Sequence, residues 1–191
     1  MKDRKRKQQA KILRWFRKIH RITGASLFLL FFIVSITGLL LGWKKDSGGY
    51  LMAKDIRGTT SDLSQWMELD DLHSRAIASL RENVGEEYDT TLNRIDVRHE
   101  KGLVKFVFDQ HYTAIHLDGA TGALLQIEKR RADFIENLHD GSYIDKVFNI
   151  PGDLFKLVYT TVAGLALLVF TITGFWLWYG PIRMRKNQTH H

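Results

Sequence analysis

The sequence predicts an α+β membrane protein: two transmembrane helices bracketing a small extracytoplasmic domain, in which a helix lies on an antiparallel sheet. Three observations lead to this class. Residues 22–43 and 157–182 are uncharged apolar runs, each long enough for the about 20 helical residues that a ~30 Å bilayer core requires. Basic residues crowd outside these runs. The polar stretch between them carries one helical apolar pattern followed by alternating apolar strands.

The first 21 residues form a basic cytoplasmic arm, with ten Lys or Arg against the single acid Asp3. Residues 22–43 follow as the first span, because only helices satisfy their own backbone groups in lipid. The run is longer than a signal-peptide core and no A-x-A-like site follows it. Trp43 with Lys44 and Lys45 reads as an interfacial anchor, so the span is expected to stay uncleaved. The second span, 157–182, closes on Trp176, Trp178, Tyr179 and Pro181. A tail at 183–191 adds Arg183, Arg185 and Lys186. The two ends sum to +12 and the middle to −5, giving the net +7. That asymmetry puts both termini in the cytoplasm and the middle outside, so the basic isoelectric point calls for no nucleic-acid partner. With no cysteine in the chain, disulfides, thiolate metal sites and thiol catalysis are excluded.

Residues 44–156 are sufficient for one small domain. Leu69, Leu72, Ala76, Ile77 and Leu80 recur at helical spacing, with Asp70 and Asp71 suited to a first turn and Gly85 to a stop. Leu92, Ile95 and Val97, then Val104, Phe106 and Phe108, alternate at a period of two around Gly102 and predict a hairpin. A second pair of strands, 113–117 and 124–127, is joined by Asp118-Gly119-Ala120-Thr121-Gly122, whose glycines and aspartate suit positive-φ turn positions. Leu72, Ile77, Leu80, Val97, Val104 and Phe106 are the expected core.

These segments resemble known ones. The loop LDGATGALL, preceded by a helix and a hairpin, is similar to the PepSY domain. The stretch IHRITGASLFLLFFIVSITGLLLGW resembles the first helix of the PepSY-associated transmembrane family. FIENLHDGSY, with the run LVYTTVAGLALLVFTITGFWLW, resembles that family's return helix. Larger members carry four spans, and this chain has two. The resemblance implies membrane-embedded b-type haem in some larger members, with reduction of ferric chelates on the outer side. It also matches His20, in H-R-x-x-G, and His139, in L-H-D-G, to family positions.

Eight histidines bear on that implication. His190 and His191 read as terminal tail or tag, His73 as a solvent-exposed residue of the soluble helix, and His99 as bordering the hairpin turn. His111 and His116 flank the second strand pair, and no histidine pair has zinc spacing with a third ligand. His20 lies at the cytoplasmic mouth of the first span and His139 just before the second, on the outer side. A histidine at a membrane border is by default an interfacial polar residue, and that reading stands beside the haem reading. Arg21 offers a charge-assisted donor to a haem propionate. Asp140 offers a carboxylate to orient the His139 ring. A helix from His20 to Trp43 rises roughly 35 Å, so the two histidines cannot share one iron in one chain. A homodimer would supply the second imidazole on each side and restore four spans.

Each span also carries a small-residue motif: Ser35-Ile36-Thr37-Gly38 toward the outer end of the first, Thr171-Ile172-Thr173-Gly174 toward the inner end of the second. Such residues pack helices closely, within one chain or at a dimer seam. Hydrolytic motifs are absent, and two spans without intramembrane charge give no transport pathway. Two functions follow. One is an inner-membrane electron-transfer component using haem on His20 and His139, with ferric-chelate reduction outside. The other is a haem-free module that docks or restrains an envelope protein partner.

Overall fold

A computed structural model describes residues 2–189; the notional tail residues His190 and His191 lie outside the described part. The order of elements is α1 (Lys2–Gly42), α2 (Leu69–Asn83), β1 (Leu92–Arg98), β2 (Leu103–Phe108), β3 (Thr113–Asp118), β4 (Leu124–Lys129), α3 (Arg131–Asp140), α4 (Ser142–Phe148) and α5 (Leu154–Thr189). Two long apolar helices thus flank a four-stranded antiparallel sheet and its helix, as the sequence predicts. The chain divides into two units, residues 1–38 with 137–191, and residues 39–136.

In the first unit, α1 runs unbroken from the basic arm into the apolar run, and α5 from Leu154 past Pro181 to Thr189. Large apolar side chains stay exposed along both, Phe28 and Leu168 among them. An exposed apolar surface of this extent is stable against lipid rather than water. The start of α5 is capped from a distance. Asp145, almost fully buried, accepts from the backbone N–H groups of Phe155 and Lys156 at 2.9 and 2.8 Å. A carboxylate there satisfies two orphan donors and meets the positive end of the helix dipole. The short helices α3 and α4, divided at Gly141, lead the chain to this point.

In the second unit the sheet order is β1-β2-β3-β4. Leu72, Ala76 and Leu80, one face of α2, pack with Val104, Phe106, Phe108, Ile115 and Leu117 into the core. Ile77 joins as a partly buried neighbour. Val97 departs from its predicted place: it pairs with Val104 on the core-facing side but is 52% exposed. The reason is its position on the edge strand β1, whereas α2 packs over β3.

The turn after β3 also differs from its expected chemistry. Only Gly122 takes a positive φ, +67°. Gly119 is needed for closeness instead, since a Cβ there would strike the Trp66 indole. Asp118 caps the turn through its carboxylate, accepting from Ala120 and Thr121 N–H at 2.9 and 3.0 Å and from Thr59.

Both faces of β2 and β3 are buried. The second face carries Lys105 and His116, and the segment before α2 runs along it. Ala53 N–H approaches Glu128 Oε1 at 3.4 Å, Gly58 N–H donates to Lys101 O at 2.7 Å, and Ala132 N–H to Leu51 O at 3.1 Å. Apolar periodicity gives no warning of this cover, because residues 44–62 lack a regular pattern.

Candidate functional site: two histidine seats on the spanning helices

Thr173 and Thr37 each lie deep in an apolar helix, only 4% and 5% exposed. A hydroxyl in such a place must find partners or pay for its burial. Both first bond backward along their own helix. Thr173 Oγ1 donates to Val169 O at 2.7 Å, and Thr37 Oγ1 to Ile33 O at 2.7 Å. With its one hydrogen committed to a carbonyl, each hydroxyl has lone pairs left to accept a second bond.

Each accepts it from a histidine of the other half of the unit. His20 Nδ1 is 2.9 Å from Thr173 Oγ1, and His139 Nδ1 is 2.8 Å from Thr37 Oγ1. A ring donating through Nδ1–H is the tautomer whose Nε2 carries a free lone pair. The glycine after Thr173 lets the ring come close, whereas Gly38 leaves ordinary contact distance. A Cβ on Gly174 would lie 3.3 Å from His20 Cε1, and one on Gly38 3.5 Å from His139 Cε1. Phe170 stacks on the His20 ring with centroids 3.9 Å apart.

The two Ile-Thr-Gly motifs are therefore histidine seats. Read from sequence, they were packing elements within a chain or at a dimer seam; their use as acceptors for His20 and His139 was missed. The signal was present: two such motifs, two border histidines, and one of each at each end of the spans. Along α1, the seventeen residues from His20 to Thr37 separate the seats by about 25 Å.

The neighbours sort differently from expectation. The His139 ring is held by Thr37, while the carboxylate of Asp140 turns to Ser142 and Lys156. Ser142 N–H and Oγ–H donate to Asp140 Oδ1 at 2.9 and 2.6 Å, and Lys156 Nζ lies 2.7 Å from Oδ2. Burial pushes the Asp140 carboxyl up, but the bonds from Lys156 and Ser142 outweigh it and hold the group below its ordinary range. Arg21, beside His20, is exposed. His73 is not fully exposed as expected: it is half-buried, with its ring stacked on Phe106 at 5.8 Å. His111 Nε2–H donates to Asp89 O at 2.9 Å. His116 lies within β3 rather than beside it, bonded to Glu128.

The fold and seats define a two-span membrane protein with two oriented imidazoles, His20 on α1 and His139 on α3, each held by a threonine of a spanning helix. The family profile described as the PepSY-associated TM region matches residues 17–190, and the chain belongs to that family. No curated protein and no solved structure matches it.

Proposed function

We propose that the protein is an inner-membrane electron-transfer component that holds b-type haem on His20 and His139 and serves ferric-chelate reduction on the outer side. In this reading both termini are cytoplasmic and residues 44–156 face outward, as the charge asymmetry favours. The observation that carries the haem assignment is the pair of Nδ1 bonds to Thr173 and Thr37. Metal-ligating histidines characteristically donate their second ring nitrogen to a fixed acceptor, which sets tautomer and ring orientation. Both seats provide that acceptor and leave Nε2 as the ligand atom.

The donor set fits b-type haem in kind and falls short in number, with one imidazole per level in one chain. A second copy related by a two-fold axis supplies the partner imidazole at each level, since isologous contact brings a residue to its own copy. Haem bound in this way supplies one-electron chemistry, its potential tuned by the axial ligands and their surroundings. His20 and His139 ligate, the two threonines orient them, and Gly174 leaves the His20 ring room. Arg21 is placed next to His20 in sequence as a cation for a propionate.

The test is the absorption spectrum of the protein purified from haem-replete membranes. A Soret band that moves on reduction is expected. A colourless protein would end this reading and leave the haem-free module that docks an envelope partner.

A further inference from the structure

The domain between the spans holds a cavity of about 750 Å³. The second face of the sheet and residues 44–56 supply its walls. At its sheet side, Lys105 Nζ and His116 Nε2 converge on one oxygen of Glu128, at 2.6 and 3.0 Å, all three residues being more than nine-tenths buried. Nε2 of His116 is spent on that carboxylate, and its Nδ1 is buried with no hydrogen-bond partner.

The cavity wall has a surplus of positive charge. Lys101 and Arg94 are matched by Asp55 and Asp96. Lys44, Lys45, Lys54 and Arg98 also line the cavity, and none of these four has an ion pair within 4 Å among the described residues. Unpaired cations in a concave wall focus a positive potential that concentrates anions. The volume is in the range of about 300–1,000 Å³ typical of sites for drug-sized ligands, well above what a lone inorganic anion fills. Location narrows the choice further. The apolar run of α1 ends at Gly42 and Trp43, and an indole there marks the headgroup layer, so Lys44 and Lys45 follow at headgroup depth.

We propose that this cavity binds a phosphate-bearing anion of headgroup size, delivered either as an anionic phospholipid or as a soluble glycerophosphate-type ester. Arg98, Lys54, Lys44 and Lys45 hold the phosphate by charge-assisted bonds. The site is independent of haem and stands whether or not His20 and His139 bind it.

The full chain in mild detergent is titrated by calorimetry with dihexanoyl phosphatidylglycerol, with zwitterionic dihexanoyl phosphatidylcholine, and with sn-glycerol 3-phosphate. Saturable binding of phosphatidylglycerol, about tenfold or more tighter than the choline lipid, is expected. Arg98→Gln and Lys54→Gln, both exposed enough to leave the fold intact, should each weaken it about tenfold. Lys129→Gln, an exposed cation outside the cavity, should change nothing. Glycerol 3-phosphate binding with the same Arg98 dependence identifies a soluble source, and binding of the lipid alone identifies a bilayer source. The proposal is overturned if neither anion binds saturably, if the choline lipid binds equally, or if Lys129→Gln weakens binding as much as Arg98→Gln.

Discussion

His20 Nδ1 lies 2.9 Å from Thr173 Oγ1, a bond between residues 153 apart in sequence that ties the start of the first span to the far end of the second. Its counterpart, His139 to Thr37, ties the end of α3 to the C-terminal part of the first span. In each bond the ring N–H donates to a lone pair of a hydroxyl whose hydrogen is already committed to its own helix.

Thr173→Val keeps the shape of the side chain and removes the acceptor. The His20 Nδ1–H is then left in an apolar surrounding, at a cost of about 1–3 kcal/mol. Thr173→Ser restores the oxygen and should recover most of that loss. Thr37→Val and Thr37→Ser should behave alike at the other seat. Chemical unfolding of the full chain in detergent measures this; equal stability of the valine and serine variants would show that the bonds carry no energy.

Phe106 is fully buried at the centre of the core between sheet and α2. Phe106→Ala should cost about 3–5 kcal/mol through lost transfer energy and a residual cavity. Val97→Ala, on the uncovered edge strand, should stay within about 0.5 kcal/mol. A comparable loss at both positions would mean that β1 is covered after all.

Burial pushes the Glu128 carboxyl up, but the bonds from His116 and Lys105 and the Lys105 charge prevail, bringing it from 4.5 to about 2. A carboxylate depressed in the folded state takes up its proton more readily when unfolded. Its contribution is therefore complete above pH ~4.5 and disappears as pH falls toward ~2. The hydrogen-bonded Asp118 and Asp140 shift in the same direction. Stability measured against pH should fall across that window, and less steeply in Glu128→Gln. Identical slopes for the two proteins would remove Glu128 from the account.

In the proposed topology the ends of the chain lie on one side and residues 44–156 on the other, as the charge asymmetry favours. A reporter that works only in the cytoplasm should be active when fused after Lys186 and silent when inserted between Glu86 and Glu87. The reverse pattern would invert the topology.

Most of the fold was legible because its signals are local. Leu72, Ala76 and Leu80 announce the face of α2, and the apolar runs announce the spans through length alone. Val97 was misplaced because alternation gives the face of a strand and says nothing about which strand lies at the edge. The burial of Lys105 and His116 was hidden for a related reason: their cover is a segment without periodicity. At the candidate site, both histidines were legible as border residues and both Ile-Thr-Gly motifs as close-packing elements. What joins them is a bond across 153 residues in one case and 102 in the other, which no spacing rule connects. Asp140 looked like the obvious partner of His139 because it is adjacent in sequence, yet Lys156 and Ser142 claim its carboxylate.

The central claim is that His20 and His139 each ligate haem at separate levels of a homodimer, and haem content per chain tests it most directly. Wild-type protein from haem-replete membranes should be dimeric and hold two haems per dimer. His20→Ala and His139→Ala should each retain half of that content, and the double variant none. Full haem in both single variants, or haem bound by a monomeric wild type, would contradict the account.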